Sequence, residues 1–239
     1  MQTELHKADT RGYAKHGWLE TYHSFSFADY YNPKRMGFGA LRVINDDTIA
    51  PGAGFGEHPH RDMEIITLPL VGSLAHTDSL GNSAVIKTGE VQVMSAGTGV
   101  VHSEYNASKT EPVSLLQIWI ETGKPGAEPR YDQKTFNAKE WNNTFRLVVG
   151  PLGNNPDEEG ALGIHQDAYL SLGAFDPNAE VEYKLKDPKQ GVYVFVIEGE
   201  VKIGDTVIGK RDALGISETK SFTVKTHSPS KLLIIEVPA

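Results

Sequence analysis

Short runs of apolar and β-branched residues recur along the chain, and Gly, Asn, Asp and Pro separate them. The run EVEYKL alternates, with Val181, Tyr183 and Leu185 on one side, which is typical of a strand that buries one face. VYVFVI (192–197) and LLQIWI (115–120) are dominated by apolar residues, as expected of strands buried on both faces. The pattern therefore predicts β structure of two kinds, half-buried and fully buried.

The predicted strands share a length of about five to ten residues and turn-forming residues at their ends. They are ALRVIN (40–45), MEIITLPLVG (63–72), SAVIKTG (83–89), EVQVMSAG (90–97), VSLLQIWIE (113–121), FRLVVG (145–150), AYLSLGAF (168–175), EVEYKL (180–185), VYVFVIEGEVKIG (192–204), DTVIG (205–209), SFTVKT (221–226) and KLLIIEV (231–237). Helical periodicity is weak, with short candidate pieces near 137–142 and 155–160. The sequence predicts an all-β sandwich or barrel.

Two strand-dense halves lie on either side of GKPGAEPRYDQ (123–133), a Pro-, Gly- and charge-rich stretch that indicates a linker. We therefore predict domains at 1–133 and 134–239. The halves resemble one another: LPLVGSLAHTDSLGN precedes LLQIWIE in the first, and FVIEGEVKIGDTVIG precedes LLIIEV in the second. This self-similarity is faint and favours a duplication.

Composition limits the function classes that remain. The 239 residues contain no cysteine, which excludes disulfides, thiolate metal sites, iron–sulfur clusters and a cysteine nucleophile. The formal charge is −8 and the 23 basic residues are scattered, so no nucleic-acid footprint is present. The N-terminus lacks the apolar core of a signal peptide, and no apolar run reaches the roughly 20 residues of a membrane span. A cytoplasmic protein is expected.

The segment GEHPHRDME (56–64) carries two histidines, His58 and His60, separated by one proline. Side chains at i and i+2 point to the same side of a strand, so both imidazoles face one direction. A residue before proline is pushed towards an extended conformation, which favours this geometry at His58. Proline lacks an N–H, which places the segment at a strand end or edge.

A second pair with the same spacing, His102 and Glu104, lies in GTGVVHSEYN (97–106). On neighbouring strands the two pairs would offer three imidazoles and one carboxylate to a common point. This ligand set suits zinc, copper, iron or nickel and leaves coordination positions open, as in catalytic rather than structural sites. Alone, either pair is an ordinary chance occurrence; together, in glycine-rich β sequence, they predict a metal centre.

These motifs resemble a known family. Gly52, His58, His60, Glu64 and Gly72 have nearly the spacing of the first cupin motif. GWLETYHSFSFADYYNP (17–33), MGFGALRVINDD (36–47), GFGEHPHRDMEIIT (54–67) and AGTGVVHSE (96–104) resemble the pirin family, in particular its bacterial quercetinase-like members. The resemblance implies a bicupin, two β-barrel domains packed together.

The pirin resemblance implies that His58, His60, His102 and Glu104 are the metal ligands. Generic cupins use the glutamate of the first motif instead, so Glu64 is a second-choice ligand, or a residue packed or hydrogen-bonded behind the site. In the second half, Leu185 and Asp187 stand where the first half has His58 and His60, counting back from Gly199 and Gly72. Metal is therefore expected in the N-terminal barrel only.

The resemblance also implies a metal-dependent dioxygenase that opens the flavonol ring of quercetin and releases carbon monoxide, with the flavonol and O₂ as partners. Glu104 is the candidate general base. Iron is the first candidate metal, and copper, nickel, zinc and manganese tolerate the same ligands. The alternative is a non-enzymatic metal- or redox-sensing co-regulator that binds another protein, and a cupin isomerase or hydrolase fits the same ligands. A monomer is compatible with the sequence.

The other histidines give weaker indications. His76 and Asp78 are two residues apart in AHTDSLGN, and we interpret them as polar residues flanking a turn, with a hydrogen bond to a ligand as the alternative. His23 lies on an alternating strand with Phe25 and Phe27. Four histidines lack a partner at useful spacing and are expected at the surface: His6, His16, His165 and His227.

Overall fold

The computed structural model describes residues 1–153 and 160–239, and strands form nearly all of its regular structure. In chain order they are β1 (Gln2–His6), β2 (Gly12–Lys15), β3 (Leu19–His23), β4 (Leu41–Ile49), β5 (Gly54–His60), β6 (Met63–Val71), β7 (Ser73–Asp78), β8 (Ser83–Lys87), β9 (Glu90–Ser95), β10 (Val100–Asn106), β11 (Val113–Glu121), β12 (Arg130–Thr135), β13 (Phe145–Pro151), β14 (Leu162–Ile164), β15 (Tyr169–Phe175), β16 (Glu180–Lys184), β17 (Gly191–Glu198), β18 (Glu200–Ile203), β19 (Thr206–Gly209), β20 (Ala213–Ser217), β21 (Ser221–Thr226) and β22 (Ser230–Val237). The predicted all-β fold is confirmed.

Helical structure in the described residues is limited to two short 3-10 helices, Ala8–Thr10 and Ala138–Trp141. The second coincides with the candidate piece predicted near 137–142. The other candidate, 155–160, lies outside the described residues except for its last position. Neither of the two helices in the described ranges is long enough to cross a membrane.

Each half of the chain forms one large and one small sheet. In the N-terminal half, a seven-stranded sheet with the order β12-β9-β6-β11-β4-β3-β2 faces a four-stranded sheet with the order β5-β10-β7-β8. In the C-terminal half, the orders are β1-β20-β17-β22-β15-β13-β14 and β16-β21-β18-β19. The pairing is antiparallel except between β13 and β14, as expected for barrels built from short consecutive strands.

The two large sheets pack against each other through one shared apolar core. On β11, Leu116, Ile118 and Ile120 face this core, and Tyr193 and Phe195 of β17 join it from the other half. The residues between them on β11 point into the N-terminal barrel because side chains alternate across a strand. This double burial explains why the central strands are apolar on both faces.

The interiors of the two barrels differ in chemistry. The C-terminal barrel is filled by a cluster of apolar side chains, among them Val194, Ile203 and Val224. The N-terminal barrel has a smaller apolar cluster at one end, and buried polar side chains such as Thr67 and Gln117 occupy the rest. Among the described residues, the group of three close histidines lies in the N-terminal barrel.

Two of the differences between the predicted element boundaries and the structure bear on the architecture. The run predicted over 192–204 is divided at Gly199, whose φ is +89° and where a Cβ would lie 2.4 Å from the Pro229 carbonyl oxygen. The last residues of the predicted linker, 130–133, belong to strand β12, which pairs with β9 in the N-terminal sheet. The domain limits 1–133 and 134–239 stay a prediction.

The prediction that His6 lies at the surface is wrong. It lies on β1, which pairs with β20 in the C-terminal sheet although it begins the chain. Its side chain is buried, and its Nδ1 is 2.8 Å from the Tyr193 hydroxyl oxygen. The local sequence around His6 gives no sign of this burial, because the partner is 187 residues away. His16 and His227 are exposed, as predicted, and His165 is half-buried.

Candidate metal centre

The edge strand β5 and its neighbour β10 bring three histidines together. β5 pairs antiparallel with β10, so that His58 lies opposite His102 and His60 lies opposite Val100. His58 and His60 project from the same side of β5, as the spacing predicts. The ligand nitrogens of His58, His60 and His102 all lie within 4.8 Å of one another.

The ring orientations select the nitrogen that each histidine can present. The Nε2 atoms of His58 and His102 are 3.0 Å apart, and the His58 Nδ1 faces the Gly56 carbonyl oxygen at 2.8 Å. An imidazole whose Nδ1–H donates to a carbonyl has its Nε2 lone pair free for a metal. A metal ion at about 2.0–2.1 Å from each nitrogen holds neighbouring nitrogens about 3 Å apart. The 3.0 Å separation of the His58 and His102 Nε2 atoms fits two nitrogens that bind the same transition-metal ion.

Burial keeps two of these imidazoles neutral. Desolvation and the neighbouring His58 lower the pKa of His60 to about 4. For His102, desolvation and the three surrounding histidines lower the pKa to about 2. Neutral imidazole is the form that binds metals, so His60 and His102 are in the ligating state throughout the physiological pH range.

His76 contacts the centre from behind, on the neighbouring strand β7. Its Nε2 is 3.0 Å from the His102 Nδ1, and the Tyr131 ring lies 4.9 Å from its ring. Donation from the His102 Nδ1–H to His76 directs the His102 Nε2 lone pair towards His58. The interpretation of His76 as a turn-flanking residue is therefore wrong, and the alternative that the sequence left open is the correct one.

Asp78, two residues after His76, flanks a turn as predicted. Its Oδ1 accepts hydrogen bonds from the backbone N–H groups of Leu80 and Asn82 at 2.9 and 3.0 Å. Both of its carboxylate oxygens also accept from the Asn82 side chain. Of the two polar residues in AHTDSLGN, His76 therefore contacts the histidine centre and Asp78 stabilises the turn.

Glu104 is buried in the N-terminal barrel, 2% exposed. Its Oε2 accepts a hydrogen bond from Gln117 Nε2 at 2.9 Å, and Gln117 accepts one from the Thr67 hydroxyl at 2.9 Å. Its Oε1 is buried without a hydrogen-bond partner among the described side chains. Burial, offset in part by Gln117 and reinforced by the Asp47 carboxylate, raises the pKa of Glu104 to about 7.

The close group of ligand atoms consists of the three histidines and does not contain Glu104. A register irregularity between His102 and Glu104 separates their pairing along β5. A buried carboxylate with one unpaired oxygen is costly unless a cation or donor satisfies it. A divalent metal would satisfy that unpaired oxygen, and Glu104 stays a predicted fourth ligand.

Glu64 lies outside the histidine group, with both carboxylate oxygens occupied. Its Oε2 accepts from the Ser95 hydroxyl at 2.5 Å, and its Oε1 accepts from the Thr122 hydroxyl at 2.7 Å. Ser95 lies on β9 and Thr122 follows β11, so Glu64 ties together strands next to the centre. Ile66, two positions further along β6, faces the core shared by the two halves, so Glu64 points to that side and not into the barrel interior. Its predicted place behind the metal site stays a prediction.

Some residues around the centre were not found from the sequence. The Trp119 ring lies 4.9 Å from the His60 ring, and the Phe55 ring lies 6.4 Å from the His58 ring. Gln117 and Thr67, which hold Glu104, are single polar residues inside apolar strands. Such an interruption is a usable signal, because a polar residue in a strand buried on both faces needs a partner.

Two joined β-barrels with a three-histidine centre in one of them define a two-domain cupin. Comparison with known proteins identifies the family. The Pirin family matches residues 5–120, and the quercetinase C-terminal cupin domain family matches residues 152–237. The chain belongs to the pirin family.

Relatives of the chain cover nearly its whole length. It is 43% identical over 234 residues to a protein of Escherichia coli K12 named quercetin 2,3-dioxygenase, with 98% of each chain covered. It is 38% identical to a pirin-like protein of Caulobacter vibrioides, covering 95% of this chain and 96% of that one. The crystal structure of the Escherichia coli bacterial pirin YhhW in complex with nickel(II) superposes with a TM-score of 0.92 at 42% identity, covering 99% of each chain.

Proposed function

We propose that this chain is a metal-dependent dioxygenase that opens the flavonol ring of quercetin-type substrates with O₂ and releases carbon monoxide. The observation that carries the proposal is the meeting of three imidazoles, two with lowered pKa, beside a buried glutamate with one unpaired oxygen. The names of the relatives at 41–43% identity support the same reaction class. His58, His60, His102 and Glu104 are the proposed ligands.

The proposed metal is iron first, with copper, nickel, zinc and manganese as alternatives that the same donors accept. A nickel(II) complex of a relative shows that a related fold holds a divalent transition metal. When bound, the metal supplies Lewis acidity that lowers the pKa of a substrate hydroxyl. Metal identity changes the rate of the reaction and leaves the roles of the side chains unchanged.

The proton of the flavonol 3-hydroxyl has a suitable acceptor in Glu104. In the chain without metal, a pKa of about 7 lets the Glu104 carboxylate take up and release a proton at neutral pH. Gln117 holds Oε2 at 2.9 Å, so Oε1 is the oxygen that would bind the metal and, once off the metal, receive the proton. Trp119 and Phe55 provide aromatic walls on which a planar flavonol can pack.

The function is tested by measuring oxygen uptake and carbon monoxide release with quercetin, on chain reconstituted with each metal in turn. We expect saturable turnover with one carbon monoxide released per O₂ consumed. Glu104→Gln keeps the side-chain volume and removes the base, so kcat falls by about 10²-fold or more while metal content stays substantial. The exposed Glu57 provides the control Glu57→Gln, which retains full activity.

Two results would count against this scheme. Full activity in Glu104→Gln shows that the base assignment is wrong. Metal binding without turnover of quercetin under every metal favours the non-enzymatic sensor, which then predicts a protein partner whose binding depends on the metal's redox state.

A further inference from the structure

A cavity of about 470 Å³ lies between the two halves of the molecule, away from the histidine centre. One wall is formed by the outward face of β6, including Leu68 and Leu70, and the opposite wall by Leu172 and Ile197 of the C-terminal sheet. The connection between the halves closes one side with Phe136. This volume falls in the range of small-molecule pockets, which occur preferentially at domain interfaces.

The cavity surface is mainly apolar. The 3-10 helix Ala138–Trp141 contributes Ala138 and Trp141 to the lining. The cavity therefore suits a ligand with an apolar body.

Positive charge is concentrated at the rim of this cavity. Arg211 lines it and shares the Asp46 carboxylate with Arg11, at 2.9 and 3.1 Å, so two guanidinium groups face one acid. Lys231 also lines the cavity and has no ion-pair partner within the described ranges.

The rim also carries one acid, the Glu198 carboxylate, which is neutralised by Lys210 at 3.0 Å. The charge that remains uncompensated at the rim is therefore positive, in a protein whose net charge is −8. A local charge of the opposite sign to the whole molecule favours an anionic ligand and attracts it over some distance.

We propose that this interdomain cavity is a second binding site, which takes a small amphipathic monocarboxylate. The carboxylate lies at the rim beside Lys231 and Arg211, and the apolar tail lies between β6 and the C-terminal sheet. The site is separate from the histidine centre: residues of β6 that line the cavity point away from the barrel interior that holds Thr67 and Glu104. Binding here requires no metal.

The site is tested by calorimetric titration of the full chain with octanoate, and with 1-octanol as the neutral ligand of the same length. We expect octanoate to bind one per chain and at least about tenfold more tightly than octanol, because the alcohol cannot use the cationic rim. Binding is expected to be the same in metal-loaded and chelator-treated chain. A carboxylate bound at the metal would instead be lost with the metal, and that result overturns the proposal.

Two substitutions place the ligand in the cavity. Lys231→Glu reverses the free charge and weakens octanoate binding by about tenfold, with little effect on octanol. Ala138→Trp, at an exposed position of the lining, fills the space and abolishes binding of both ligands. Lys189→Glu is the matched control, and we expect it to leave binding unchanged. Lys189 is exposed and lies two residues before Gly191, at the opposite end of the β17–β22 pair from Lys231.

Circular dichroism and thermal unfolding confirm that each variant is folded. Wild-type chain that binds no octanoate below about 1 mM overturns the proposal, since that is the affinity of only the weakest specific ligands. Octanoate binding that is unaffected by both Lys231→Glu and Ala138→Trp also overturns it. Because Lys231→Glu is an exposed substitution, failure of Ala138→Trp to fold leaves the charge test decisive.

Discussion

At the scale of single residues, His76 connects the histidine centre to the barrel interior. Its Nε2 lies 3.0 Å from the His102 Nδ1, and the Tyr131 ring covers its ring. Partners of this kind fix the tautomer and orientation of a metal-ligating imidazole and contribute to metal affinity. The side chain is therefore a positioning residue, although it does not face the metal itself.

His76→Phe keeps a ring at this position and removes the acceptor. We expect metal affinity to fall by about 10–100-fold, measured by competition with a chelating dye. His76→Gln retains an acceptor and should recover part of the loss. If His76→Phe binds metal as tightly as the wild type, His76 has no role in positioning His102.

Asp47 is a second acid buried in the N-terminal barrel. Burial, reinforced by the neighbouring Asp46, raises the pKa of Asp47 to about 7 from 3.8. The folded chain therefore keeps a proton that the unfolded chain releases between pH 4 and 7. This group lowers the stability of the fold as pH rises through that window, and the full cost is present above pH 7.

Asp47→Asn removes the titrating group and its cost. In chelator-treated protein we expect the variant to match the wild type within about 1 kcal/mol at pH 4–5, and to exceed it by roughly 1–4 kcal/mol at pH 8. Urea unfolding at a series of pH values measures the difference. A stability difference that does not change with pH would mean that Asp47 is ionised in the folded chain at pH 5.

Prediction from the sequence succeeded for residues whose spacing along one strand fixes the direction of their side chains. The separation of His58 and His60 by one residue places both rings on one side of a strand, as the structure shows. The hydrogen bond between His76 and His102 joins residues 26 positions apart, so it depends on how β7 pairs with β10. Sequence spacing within one segment carries no information about that pairing.

At the scale of elements, the pairing of β5 with β10 holds the histidine rings in place. Gly54 opens β5, and a Cβ there would lie 2.2 Å from the Glu104 carbonyl oxygen and 2.5 Å from the Tyr105 Cα. Gly56, two positions along, has only the Tyr105 hydroxyl near it, at 3.8 Å. The two glycines therefore form a matched pair for testing how closely the strands must approach.

Gly54→Ala is expected to destabilise the chain by about 2–3 kcal/mol, because the added methyl forces backbone atoms apart. The separation of β5 from β10 should also weaken metal binding by moving His58 away from His102. Gly56→Ala should change the free energy of unfolding by about 0.5 kcal/mol or less. Equal effects of the two substitutions, in urea unfolding and metal titration, would show that close strand approach at Gly54 is not required.

The prediction of elements succeeded for long apolar strands and failed at their polar neighbours. β6 and β11 appear close to their predicted ranges because burial on both faces leaves a continuous apolar run. β1 and β12 carry exposed, polar sequences and were not predicted. Their formation depends on a free edge of another strand, which the local pattern does not describe.

At the scale of the whole molecule, the two barrels share the same arrangement of one large and one small sheet, and their interior side chains differ. The strand pattern predicted an all-β chain in two halves, and the resemblance of its motifs to the pirin family implied the bicupin architecture. The position of β1 in the C-terminal sheet could not, since either large sheet offers an edge to which an exposed strand can pair. The apolar filling of the C-terminal barrel agrees with the loss of histidines at Leu185 and Asp187.

The central claim is that one metal centre, built by β5 and β10, serves the whole molecule. The most direct measurement is the metal-to-protein ratio of purified chain by plasma mass spectrometry, for the wild type, His102→Ala and the exposed control His16→Ala. We expect about one transition-metal ion per chain in the wild type and the control, and almost none in His102→Ala, since that variant loses one of the three imidazole ligands. A His102→Ala chain that retains one ion would contradict the account.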